Sequence, residues 1–300
     1  MINPRRVLIV VNLRAGTRVI RGQLANIVDE FCAAGYVPTV RITQCAGDAA
    51  NIVAGKSNDY CMVVCCGGDG TLNETISGMM RARKRVPIGY IPCGSTNDMA
   101  NTLGLPKNVL KATKLILEGK PVEHDIGMFG DRFFTYISSF GAFTRASYAT
   151  PQKIKNVLGH FAYVLEGAKE IGEIRPYHFK VEYNGKTIED DFIFGSVSNS
   201  TSFGGVFSFP KSDVTLNDGM FELLLIRAPK NPMDTTALLM NMAKKNFHDK
   251  NIVFAHTNNV VFEPEKPLDW TIDGECSGKV GRIVIDNIPD TIQIIQKKHR

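Results

Sequence analysis

The sequence predicts a two-domain α/β protein: a doubly wound domain with a parallel sheet, followed by a β-rich, sandwich-like one. Three observations carry this. The 300 residues are long enough for two hydrophobic cores rather than one. The first part of the chain alternates short apolar runs with amphipathic stretches, the pattern of a parallel sheet covered by helices. From about Asp125 the texture changes to closely spaced strand-like runs. We therefore read residues 1–124 as the first domain and 125–290 as the second, with a last run near 291–296 that is a candidate to return to the first.

In order, Val7 to Val11 is a buried first strand and Gly22 to Ala34 an amphipathic helix that stops at Gly35. Val37 to Thr43 is a strand and Asp48 to Gly55 a short helix. Tyr60 to Cys66 is an apolar, β-branched strand, followed by a helix over Thr71 to Met80, a strand over Pro87 to Ile91 and a helix over Asn97 to Leu103. In the second domain strands are expected at Arg132 to Ser138, Tyr177 to Tyr183, Asp190 to Asn199, Phe221 to Ile226, Ile252 to Glu263, Leu268 to Ile272, Arg282 to Asp286 and Thr291 to Gln296. Two helices, Lys153 to Ile171 and Met233 to Asn246, interrupt them. Asn184-Gly185 is a hairpin turn, because Asn-Gly accepts positive φ at both central positions.

Composition narrows the function. With 44% hydrophobic and 22% charged residues the chain is neither disordered nor fibrous, and no apolar run approaches the roughly 20 residues that span a bilayer. The net charge of +5 suits an anionic partner. Seven cysteines, none at two-residue spacing, read as reduced, buried thiols of a cytosolic protein, and six scattered histidines argue against a structural transition-metal site.

The chemistry concentrates in two loops. Cys65-Cys66-Gly67-Gly68-Asp69-Gly70-Thr71-Leu72-Asn73-Glu74 runs from a buried strand through three glycines into a helix, with Thr71 and Glu74 at capping-box spacing. Glycines let an anion approach the main chain, and a helix N-terminus adds unpaired N–H donors, so a phosphate fits there. Asp69 would repel that phosphate unless a divalent cation lay between, which assigns it to Mg²⁺. The plain alternative is a strand-to-helix turn in which Asp69 caps the helix. Cys93-Gly94-Ser95-Thr96-Asn97-Asp98 follows the next buried strand. Both loops are expected on one rim of the sheet, forming a nucleotide cleft, with Asn97 or Asp98 as helix cap. Asn184-Gly185-Lys186-Thr187 lacks the upstream glycine of a Walker A loop and reads as a hairpin.

Gly67-Gly68-Asp69-Gly70-Thr71-Leu72-Asn73-Glu74 together with Gly94-Ser95-Thr96-Asn97-Asp98, His124-Asp125-Ile126-Gly127, Asn217-Asp218-Gly219 and Ile272-Asp273-Gly274-Glu275 resembles the diacylglycerol kinase catalytic domain family, which includes bacterial lipid kinases and sphingosine kinases. The resemblance implies an ATP- and Mg²⁺-dependent lipid kinase that converts a substrate such as diacylglycerol to phosphatidic acid. ATP would be held by Asn12, Gly16, Thr43, the segment from Gly67 to Glu74, Gly94, Ser95 and Asp98. Asp69 would serve the catalytic Mg²⁺, with Asp98 and Asp125 in support, and Glu275 would be the general base. Without the resemblance, Asp273-Gly274-Glu275 reads equally as a hairpin tip with Glu275 a solvated acid. A second, structural Mg²⁺ is implied at Asp218 with Thr215 and Met220. The family carries Asn-Pro-x-Ser-Gly after its first strand, whereas this chain has Asn12-Leu13-Arg14-Ala15-Gly16, keeping the Asn and the last Gly.

The expected partner is a lipid at an anionic membrane surface, met peripherally and reversibly from the cytoplasm. Nucleic acid is not expected, and a homodimer is compatible with the sequence. Two other readings are a kinase of another acceptor, as in NAD kinases, and a non-catalytic lipid- or nucleotide-binding regulator.

Overall fold

A computed structural model describes residues 5–16, 19–141, 176–203, 207–208, 214–243, 246–247 and 249–297. The helix expected over Lys153 to Ile171 lies outside them, as does most of the tail after Gln296. The chain divides into two compact units, one of Met1–Ile126 with Pro289–Arg300 and one of Gly127–Ile288.

The first unit contains β1 (Arg5–Val11), α1 (Ile20–Ala33), β2 (Tyr36–Ile42), α2 (Asp48–Lys56), β3 (Met62–Gly67), α3 (Asp69–Arg81), β4 (Ile88–Pro92), α4 (Asp98–Thr102) and α5 (Val109–Glu118), with β5 (Lys120–Phe129) continuing into the second. Its strands are parallel, in the order β4-β3-β1-β2. Val7 to Val11 are all fully buried, as expected for a parallel strand covered on both faces. Burying each such aliphatic side chain contributes roughly 1.5–3 kcal/mol.

The second unit holds β6 (Arg132–Phe134), β7 (Ile137–Gly141), β8 (Tyr177–Tyr183), β9 (Lys186–Ser198), β10 (Ser202–Phe203), β11 (Phe207–Ser208), β12 (Phe221–Arg227), α6 (Pro232–Ala243), β13 (Ile252–Thr257), β14 (Asn259–Pro264), β15 (Leu268–Ile272), β16 (Glu275–Val280) and the start of β17 (Ile283–Gln296). Its main sheet runs β16-β15-β7-β9-β8-β14-β17, with β12 pairing with both β9 and β13. Phe140, Phe179, Phe262 and Trp270 form its aromatic centre. The far end of β17 lies in the first unit, where Ile294 pairs in parallel with Ile88 of β4.

Several expected elements change. The single strand read over Arg132 to Ser138 is two, because the N–H groups of Thr135, Tyr136 and Ile137 leave the ladder for the carboxylate of Asp273. The run from Ile252 to Glu263 is also two strands, since β13 pairs with β12 whereas β14 pairs with β8 and β17. The two runs near the C-terminus are one strand, β17. Helix α5 was not expected from the sequence, although Asn108 caps it, its Oδ1 accepting from Lys111 N at 3.0 Å, and Val109, Ala112 and Ile116 recur on its buried face. The cysteines are all free, but Cys32, Cys45, Cys61 and Cys276 are exposed rather than buried.

Candidate active site

In the first unit the loops after β1, β3 and β4 meet backbone to backbone. A Cβ added at Gly94 would lie 2.6 Å from Gly68 Cα, and one at Gly68 would lie 3.1 Å from Gly94 Cα. Gly16, at φ +48°, closes the third side, since a Cβ there would fall 2.3 Å from the carbonyl oxygen of Cys93. No side chain fits at Gly16 or Gly94, and at Gly68 one fits only if the facing loop gives by a few tenths of an ångström. Sheet order places β2 on one side of β1 and β3 on the other, so the loops sit at the topological switch point, where open α/β sheets bind ligands.

Hydrogen bonds fix this rim. Asn12 Nδ2 donates to Thr71 Oγ1 at 3.0 Å, and Asn12 Oδ1 accepts from Arg14 N at 2.9 Å. Asn97 stands at φ 54° and clasps Gly94 from both sides, accepting from its N at 2.9 Å and donating to its O at 2.8 Å. Thr43 N donates to Val11 O at 2.9 Å. Ser95 is exposed at the loop tip, and no side chain caps the N-terminus of α3.

Asp69 does not cap its own helix. Its carboxylate accepts from Asp98 N at 3.1 Å and Met99 N at 3.2 Å, capping α4 instead. Burial raises its pKa, and these backbone donors oppose the rise. The capping box read at Thr71 and Glu74 is absent, because α3 begins at Asp69. Glu74 instead accepts from Gly47 N at 2.7 Å and Ala49 N at 3.1 Å, capping α2. Leu72 is wholly buried, so its side chain packs in the core and offers a nucleotide nothing.

In the second unit Glu275 is exposed and opens β16 directly after a two-residue turn, with Ile272 paired to Glu275 across it. The hairpin is thus real, and Asp273 within it is buried. Asp218 and Thr215 are exposed, and Asp218 Oδ1 accepts from Met220 N at 3.0 Å. Among the described residues no three His, Cys, Asp or Glu side chains gather as a metal site.

The sequence reading missed Glu222 on β12. It is 1% exposed, its Oε2 lacks a hydrogen-bond partner, and burial pushes its carboxyl up to about 9. Its place in an otherwise apolar strand, Phe221-Glu222-Leu223-Leu224-Leu225, was the available signal.

The diacylglycerol kinase catalytic domain matches residues 6–129, and the YegS C-terminal NAD kinase beta sandwich-like domain matches residues 138–296. A diacylglycerol kinase of Bacillus subtilis (strain 168) is 30% identical over 299 residues, covering 99% of this chain and 98% of that protein. The chain belongs to the diacylglycerol kinase catalytic domain family. It is therefore an enzyme, a diacylglycerol kinase-like ATP-dependent kinase. A second family member, a diacylglycerol kinase of Staphylococcus carnosus (strain TM300), is 30% identical over 279 residues, 92% of this chain and 90% of that one. The fold is also that of a diacylglycerol kinase from Bacillus anthracis str. Sterne, whose crystal structure matches with a TM-score of 0.77 at 22% identity over 98% of this chain and 97% of that one. No helix among the described residues is long and apolar enough to cross a membrane.

Proposed function

We propose that the chain transfers the γ-phosphoryl group of ATP to a lipid hydroxyl, with diacylglycerol as acceptor and phosphatidic acid as product. The observation that carries this is the convergence of Gly16, Gly68 and Gly94 at the switch point, which clears side chains from a rim of main-chain donors. Family membership and the relatives' names support the acceptor.

In this reading Asn12, Thr43, Gly67, Gly68, Gly70, Thr71, Asn73, Gly94 and Ser95 surround the nucleotide. Its phosphates are held by backbone N–H groups that stay fixed as charge develops. Glu275 takes the proton of the lipid hydroxyl, and the oxygen attacks in line. The carboxylate oxygens of Asp69 and Asp98 are hard donors that suit Mg²⁺, which usually takes one or two carboxylates and completes its shell with water and phosphate. Asp125, whose Oδ1 accepts from Asp290 N at 2.9 Å, supports the surroundings. When bound, Mg²⁺ neutralises phosphate charge. The turn from Thr215 to Met220, with Asp218 its carboxylate, offers hard oxygens for a second, structural Mg²⁺. Peripheral, reversible contact with an anionic membrane on the cytoplasmic side is in keeping with the charge of +5.

The test is a panel of diacylglycerols, other lipid alcohols and NAD with labelled ATP and Mg²⁺. Labelled phosphatidic acid is expected, and Asp69→Ala, still folded by circular dichroism, should abolish it. Undiminished turnover in that variant, or transfer to NAD alone, would overturn the reading.

A further inference from the structure

We propose that Asp273 is a positioning residue for Glu275, fixing the proposed base through the turn that carries it; the inference rests on the function proposed above. Asp273 is 5% exposed, yet its carboxylate accepts three backbone N–H groups, from Thr135 at 2.6 Å, Tyr136 at 3.0 Å and Ile137 at 3.0 Å. Its own N donates back to Ile137 O at 2.8 Å. The corner between β6 and β7 is held in turn from its other side, where Asn199 N donates to Tyr136 O at 3.0 Å. The turn is therefore nailed to a corner that β9 braces.

Glu275 lies two residues beyond this anchor. Asp273 at φ 47° and Gly274 at φ +84° form the turn, and Ile272 pairs with Glu275 to close it. Among the described residues β16 is the edge strand of its sheet, and Glu275 has a ladder partner on one side only. Among the described residues, the turn and the β15 ladder are what hold the backbone of this exposed acid. A general base must be placed to within about 0.5 Å, and a misplacement of about 1 Å costs on the order of 100-fold in rate.

Asp273→Asn tests this with the least disturbance, because Asn tolerates positive φ as well as Asp does. An amide turns an NH₂ group toward donors that need an acceptor, and the anchor loosens. The expected result is a kcat lower by about 10- to 100-fold with KM for ATP unchanged. Because Asp273 acts through Glu275, the same substitution in a Glu275→Gln background should cost less than about 2-fold more, as for residues that work as a unit. Equal losses in both backgrounds, or a loss confined to KM, would overturn the proposal. Wild-type turnover in Glu275→Gln alone would instead sink the assignment of the base. Hydrogen exchange on the unaltered protein gives a second measurement that does not depend on a variant folding. The amides of Thr135, Tyr136 and Ile137 should be protected, and exchange at open-loop rates would also overturn the proposal.

Discussion

Two hairpins of the second unit are built on the same local signal and put to different uses. Asn184-Gly185 joins β8 to β9 with φ values of 48° and 70°, and Asp273-Gly274 joins β15 to β16 with 47° and 84°. Each turn has positive φ at both central residues, which an Asx-Gly pair accepts with little strain. Asn184 is exposed and sends Nδ2 to the carbonyl of His256 at 2.7 Å, whereas Asp273 is buried under three N–H donors. Turn chemistry sets the backbone in both. Tertiary surroundings decide whether the side chain merely finishes a surface loop or anchors an acid that follows it.

The largest expected effect separates the residues that follow the two turns. Glu275→Gln should lower kcat by about 100- to 10,000-fold, the span of general base catalysis, while Lys186→Ala, the position after the other turn, leaves kcat unchanged. Steady-state turnover with labelled ATP checks both. Comparable losses would erase the distinction between the hairpins.

These comparisons also depend on pH, because buried His124 contributes stability that is lost in acid. It is buried, with its Nε2 accepting from the Gln296 amide, and burial lowers its pKa to about 4. The unfolded chain takes up that proton near pH 6.5 and the folded chain only near 4, so stability is fully present above 6.5 and is lost as pH falls between them. The penalty reaches about 2 kcal/mol by pH 5. Denaturant titrations at pH 7 and pH 5 should show that His124→Asn sheds most of this loss. An unchanged acid slope would refute it.

What the sequence disclosed follows from range. Strands β1, β3 and β4 announce themselves because burial on both faces demands continuous apolar runs, and the phosphate rim does so through glycine density. Strand β16 does not, since Glu275-Cys276-Ser277-Gly278-Lys279-Val280 is a polar edge with no clear period. Capping was misread wherever the partner is distant in sequence. Asp69 serves a helix about 30 residues downstream, Glu74 one more than 20 upstream, and Asp273 a corner nearly 140 residues away. Local rules assign such acids to their own helix or turn, and only the packed chain reveals whose donors they satisfy.

The glycines of the two hairpins give the finest test of the comparison. A Cβ at Gly185 would meet nothing within 4 Å, and one at Gly274 only Tyr136 Oη at 3.5 Å, an ordinary contact. Neither Ala variant is crowded, so each bears mainly the left-handed backbone strain of roughly 1–2 kcal/mol. Thermal melts of Gly185→Ala and Gly274→Ala should therefore fall by similar amounts. Their kinetics should part, because a relaxed turn at Gly274 shifts Glu275 while one at Gly185 shifts only Lys186. A kcat drop of about 3- to 10-fold is expected for Gly274→Ala alone, a fraction of the penalty for full misplacement. Equal kinetic losses at matched stability would mean that kcat follows the stability of the second unit as a whole, and the special place of the Asp273 turn would be gone.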